Sequence, residues 1–170
     1  MTFTVNRNLT EGDYRLRDVF SGLDGVGTLI ARLGNAHVLK QILDGTRVTL
    51  KDEDGYMYVN DADGSLVVGL EYLRSGETTY LYLDVIHELV HVKQFLQGRE
   101  LFDRRFTYVE RPTEIEAYQC CVEEARRIGL SEEAIGNYLY VEWVSKTDHA
   151  KLLQTLGVKA LAKARTSLDT

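Results

Sequence analysis

Five residues near the middle of the chain, His87-Glu88-Leu89-Val90-His91, constrain its fold more than any other feature. Two histidines at this spacing can aim at one point if the backbone between them is an α-helix, where positions i and i+4 stand one above the other on the same face. The flanking sequence agrees. Ser75 and Gly76 break the chain, Thr78 or Thr79 can cap a helix, and Gly98 can stop one, so residues 79–98 are predicted to form a long helix. Leu83, Ile86, Val90, Phe95 and Leu96 surround the histidines and tie that helix to a core. Neutral imidazole nitrogen suits zinc. Glu88 is rotated about 100° from His87 around the axis, so its carboxylate stands beside a bound ion instead of on it. That is the place for a general base acting on zinc-bound water, whose pKa can fall to about 7.

The rest of the chain reads as an α+β domain spanning residues 1–170. Residues 14–43 are rich in aliphatics and helix formers interrupted by Gly22, Gly25, Gly27 and Gly34, which predicts two or three short helices and a helical N-terminal part over 1–44. Over 45–75 the period changes. Runs at 47–50, 56–59 and 65–73 are β-branched and aromatic, separated by Asp- and Gly-bearing segments at 52–55 and 60–64, which predicts an antiparallel meander of three or four strands. Asp52, Asp54, Asp61 and Asp63 in those segments are turn chemistry; an EF-hand would need a glutamate at its twelfth position and flanking helices. Beyond the metal helix, helices are expected over 112–157: one from Pro112 to about Ile128, one capped by Ser131 and reaching about Ser145, and one from Asp148 to Gly157. The tail from 158 is expected to be helical or frayed.

Composition removes several function classes. The net charge of −6 argues against nucleic acid, whose binding depends on cationic patches. No apolar run approaches membrane-spanning length, and the N-terminal stretch has no apolar core of the kind a secretory signal needs, so a cytoplasmic location is expected. Cys120 and Cys121 are adjacent in a predicted helix, where their side chains diverge, so they read as small buried residues and not as a disulfide or a metal pair.

Two histidines and a water leave tetrahedral zinc one protein ligand short. A metzincin would place glycine and histidine where Gln94 and Gln97 stand, and a deformylase would need a cysteine ahead of the helix, where there is none before Cys120. Aspartate or glutamate remains, and Glu114 and Glu116 open the next predicted helix, Glu114 being 23 residues beyond His91.

The HELVH helix followed by an E-x-E-A segment resembles the gluzincins, in particular the reduced minigluzincins, over about residues 45–128. It also resembles, less closely, metallopeptidases that cleave regulators. The resemblance implies a zincin-like fold with an antiparallel sheet ahead of the metal helix. It implies zinc held by His87, His91 and Glu114, with Glu116 as the fallback ligand, and peptide hydrolysis assisted by Glu88. Related families place an acid four residues after the ligating glutamate to orient a histidine; here that residue is Tyr118. Tyr108, Tyr118, Tyr138, Tyr140 and His149 are candidates for stabilising an oxyanion, while His37 is read as structural and Asp84 as a surface or supporting residue. The strand at 65–73 is a candidate edge for pairing with an extended substrate. The expected activity is that of a small zinc endopeptidase acting on short or unfolded peptides. The competing expectation is a regulatory or binding module that keeps the fold and a metal without efficient catalysis.

Overall fold

A computed structural model, which describes residues 2–159, builds the fold around the predicted helix. That helix, α5 (Thr78–Leu96), is buried along most of its middle, from Leu81 to Val92. Its cap is Glu77 and neither threonine: the Glu77 carboxylate accepts from the Thr79 and Tyr80 N–H groups at 3.0 Å each. Gly98, with φ +71°, follows the last turn as expected for a helix stop.

Three short helices precede the sheet or feed into it, α1 (Leu16–Val19), α2 (Gly27–Leu33) and α3 (Ala36–Gly45), in line with the glycine-broken pattern. The N-terminal part is not purely helical, however. It also contains β1 (Thr4–Val5), β2 (Gly12–Arg15) and β3 (Phe20–Ser21), of which β2 joins the main sheet. The remaining strands are β4 (Arg47–Lys51), β5 (Met57–Val59) and β6 (Leu66–Gly69), and the order is β2-β4-β6-β5. The predicted antiparallel meander is therefore corrected to a mixed sheet in which β4 and β6 are parallel, Val48 opposite Leu66.

The physical reason lies at 52–55. This segment, read as a hairpin turn, instead carries the chain across the end of β6, so that β5 forms on the far side and hairpins back. A Cβ on Gly69 would stand 2.5 Å from the Gly55 carbonyl oxygen, so only glycine lets the crossing pass this close. The second turn behaves as predicted, with Asp63 accepting from both the N–H and the hydroxyl of Ser65. As an interior strand β6 is buried at every residue, which explains why it shows no apolar–polar alternation. It ends at Gly69, and residues Leu70–Ser75 form helix α4 where a strand is predicted.

Beyond α5 a linker leads to α6 (Pro112–Arg127), which packs along α5, then α7 (Glu132–Tyr138) and α8 (Lys146–Leu156). Ser131 caps α7 as expected, but α7 stops at Tyr138 well short of Ser145, and Ser145 is the cap of α8. The predicted tail beyond Lys159 lies outside the described residues. Glu124, fully buried, joins α2, α5 and α6 by accepting from Thr28 (2.6 Å), Tyr82 (2.5 Å) and Arg127 (2.5 and 2.7 Å). Cys120 and Cys121 are buried in α6, as a small-residue reading requires. Among the described residues no helix is long and apolar enough to cross a membrane.

Candidate metal centre

One turn of α5 stacks His87 and His91, and the first turn of α6 brings Glu114 against both. His87 Nε2 lies 3.0 Å from His91 Nε2 and 3.1 Å from Glu114 Oε2, and His91 Nε2 lies 3.5 Å from the same oxygen. All three residues are buried, and one ligand atom from each falls within 4.8 Å of the others. The cluster can therefore hold a metal ion.

The protonation pattern tests that fit. Gln94 spends its amide N–H groups on the Thr113 carbonyl (3.1 Å) and Glu116 Oε2 (2.8 Å), so its oxygen faces His91 Nδ1 at 2.7 Å. Nδ1 of His91 must then carry the proton, and in the neutral ring Nε2 is left as a lone pair. Two imidazole nitrogens and a carboxylate oxygen meet with one proton at most between them in the neutral state. A divalent cation suits such a donor set.

Glu116, the fallback ligand, is excluded from the cluster. On a helix it is rotated about 200° from Glu114, and its carboxylate is held by Arg99 Nη1 at 2.5 Å as well as by Gln94. Glu116 and Arg99 thus anchor Gln94, and Gln94 anchors His91. Arg111 reaches to 3.6 Å from the second oxygen of Glu114, its guanidinium lying over the Phe102 and Tyr108 rings. Tyr118, standing where an acid is common in gluzincins, packs its ring 4.3 Å from that of His87 and shares a 2.7 Å hydroxyl contact with Tyr108. His87 Nδ1 is consequently buried with no hydrogen-bond partner among the described residues.

Glu88 is buried beside the cluster, where the backbone N–H of Val59 on strand β5 favours its charged form. Burial pushes its pKa up to about 8. The carboxylates of Glu114 and Asp84 push the same way, while a charged His91 and the Val59 N–H oppose them. In the metal-free cluster burial opposes charge on His91, but its bond to Glu114 and the field of Glu88 outweigh that and raise it to about 9. His87 is lowered, chiefly by burial. Glu114 is held well below the usual carboxylate range despite burial, because both imidazoles bond to it.

Two cavities open on this cluster. One, of about 130 Å3, lies between β5 and the metal residues and is closed by Leu101, Phe102, Tyr108 and Trp143. The other, of about 170 Å3, shares His87, Glu88, Tyr108 and Trp143 and continues between tyrosines toward Asp84. A larger and more open hollow of about 680 Å3 follows residues 99–105 and touches none of the metal residues.

The remaining sequence candidates separate clearly. Tyr108, Tyr118, Tyr138 and Tyr140 line the second cavity, and of these only Tyr108 lines both. His149 is buried elsewhere, with Nε2 2.9 Å from the Gly136 carbonyl and its ring edge-on to Tyr140, so it is a packing residue. His37 is exposed on α3. Asp84 accepts from the hydroxyls of Tyr72 (2.5 Å) and Tyr138 (2.8 Å). Gln94, Arg99 and Arg111 were missed as contributors. Gln94 had a readable signal, being three residues after His91 on the same helix face; the arginines come from the linker and had none.

Comparisons with protein-family models, with curated proteins and with solved structures found no match for this chain. What it does has to be read from its own residues.

Proposed function

We propose that this protein is a zinc-dependent hydrolase that cleaves peptide bonds, built on the plan of the gluzincins. One observation carries the proposal: His87, His91 and Glu114 converge in a buried cluster while Glu88, one residue along the same helix, stands free of it and faces the same cavities. Zinc held by the three ligands would polarise a carbonyl and make water acidic enough to lose a proton near neutral pH. Glu88 accepts that proton and returns it to the leaving amine; its burial keeps its affinity for a proton high. Tyr108, on the wall common to both cavities, supplies the hydroxyl that meets the developing oxyanion.

The surface for an extended peptide is β5, and not the 65–73 segment, whose strand is interior. In the β5–β6 hairpin the carbonyl of Tyr56 accepts from the Gly69 N–H at 3.0 Å and the N–H of Asn60 donates to the Ser65 carbonyl at 2.8 Å. By antiparallel alternation Met57 and Val59 turn their backbone groups away from β6. These groups of the edge strand are left to pair with a substrate strand.

A second reading is a metal-binding module without efficient catalysis, favoured by the lack, among the described residues, of an orienting partner on His87 Nδ1. Metal analysis of the purified protein, followed by cleavage of a quenched-fluorescence peptide library by wild type and Glu88→Ala, separates the two. Loss of cleavage in the variant with metal content retained is expected. Equal cleavage by both proteins ends the catalytic role of Glu88, and metal without cleavage in wild type leaves the module.

A further inference from the structure

We propose that the tyrosine-walled cavity next to the metal cluster receives a lysine or arginine side chain of the substrate, and that Asp84 at its end binds the charge. The inference rests on the peptidase reading of the neighbouring site and names the specificity of that site.

Asp84 lies one helical turn before His87, about 4.5 Å along the axis of α5. Each of its carboxylate oxygens accepts one hydroxyl, Oδ2 from Tyr72 and Oδ1 from Tyr138, and each keeps acceptor capacity to spare. Among the described residues no lysine, arginine or histidine nitrogen comes within 4.0 Å of it, and its hydrogen-bond partners are the two phenols. A partly buried carboxylate with no cation against it is costly to keep charged, and desolvation accordingly raises its pKa to about 6.

Among the described residues, the cavity that reaches this carboxylate is lined by three acids, Asp84, Glu88 and Glu142, and by no lysine or arginine. Its walls are the rings of Tyr56, Tyr80, Tyr138 and their neighbours, with Trp143 at the rim, 60% exposed and 6.0 Å from Tyr56. Aromatic faces accommodate an aliphatic stem and attract the cation at its end. Because the same cavity is bounded by His87 and Glu88, a residue whose backbone lies at the cluster can extend its side chain to Asp84. A free α-ammonium, which has no stem, would have to bring the backbone itself to the cavity floor. A purely structural Tyr–Asp–Tyr network would have no preference among ligands, and this separates the two accounts.

Trp143 is the chain's one tryptophan, so its fluorescence reports on this cavity without any need for turnover. Full-length protein would be titrated with N-acetyl-lysine methylamide, N-acetyl-arginine methylamide and the uncharged N-acetyl-norleucine methylamide, then with norleucine amide bearing a free amine. Wild type is expected to bind the two basic compounds at least about tenfold more tightly than acetyl-norleucine, as for one charge pair, and Asp84→Asn to bring all three within about threefold. Equal binding of basic and neutral compounds by wild type overturns the proposal whether or not the variant folds. Retention of the preference in a folded Asp84→Asn protein removes Asp84 from it, and tighter binding of norleucine amide than of acetyl-lysine moves the cation to the N-terminus and refutes the side-chain assignment. Cleavage of the peptide library without a basic preference would sink this inference alone, whereas a basic preference in binding without cleavage would sink the hydrolase reading alone.

Discussion

Gln94 holds His91 in the tautomer that presents Nε2 to a cation, and replacing it tests how the centre is organised. Gln94→Leu keeps roughly the side-chain volume and removes every polar atom. Glu116 retains Arg99, but the buried Nδ1–H of His91 loses the acceptor it has in Gln94. Leaving such a group unsatisfied costs about 1–3 kcal/mol of folding stability. Freed of that bond, His91 can also place its proton on Nε2 and turn its ring. Partners of this kind are worth about 10–100-fold in metal affinity, or about 1.4–2.7 kcal/mol. At a fixed free zinc concentration well above both dissociation constants the stabilisation conferred by zinc falls by the same amount. In a domain of this size the zinc-induced rise in Tm would shrink by about 3–10 °C. Zinc affinity would be measured by competition with a chromophoric chelator, and Tm by calorimetry with and without the metal. Gln94→Glu, which keeps an acceptor for Nδ1, is expected to hold affinity within about threefold. A folded Gln94→Leu protein that binds zinc as tightly as wild type would refute the idea that this relay prepares the site.

Asp84 gives a pH dependence of definite sign. Its pKa is raised from 3.8 to about 6 on folding, first by burial and against the two phenol hydrogen bonds, so between those values the folded state holds the proton that the unfolded state has released. Its contribution to stability is therefore greatest below pH 4 and declines as pH rises through 6, by at most about 3 kcal/mol. Denaturant unfolding of the metal-free protein, compared between wild type and Asp84→Asn from pH 4 to 7, should show the variant gaining relative stability with rising pH; a constant difference would contradict the assignment. Gly69→Ala would drive a Cβ to 2.5 Å from the Gly55 carbonyl and force the crossing segment off β6. A loss of about 1–3 kcal/mol is expected, read as a lower denaturation midpoint, and an unchanged midpoint would mean that the crossing is not tight.

Local spacing alone determined much of this protein. Whether His87 and His91 share a face, and whether Glu88 stands beside them, follows from the pitch of one helix, and the signals that make it a helix lie within a few residues of it. The ends of α6 and α8 were legible for the same reason, at Pro112 and Gly157. Pairings between distant segments were not. An Asp-Gly segment at 52–55 looks the same whether it turns a hairpin or carries the chain across a strand, and only the contact with Gly69 shows which. Glu114 and Glu116 are equivalent in the sequence until the linker sets the rotation of α6 and Arg99 claims one of them. Asp84 was ambiguous because its phenol partners come from α4 and α7, at separations of 12 and 54 residues. The helical face was encoded where it stands; what gathers around that face depends on long-range packing, which no short window of sequence contains.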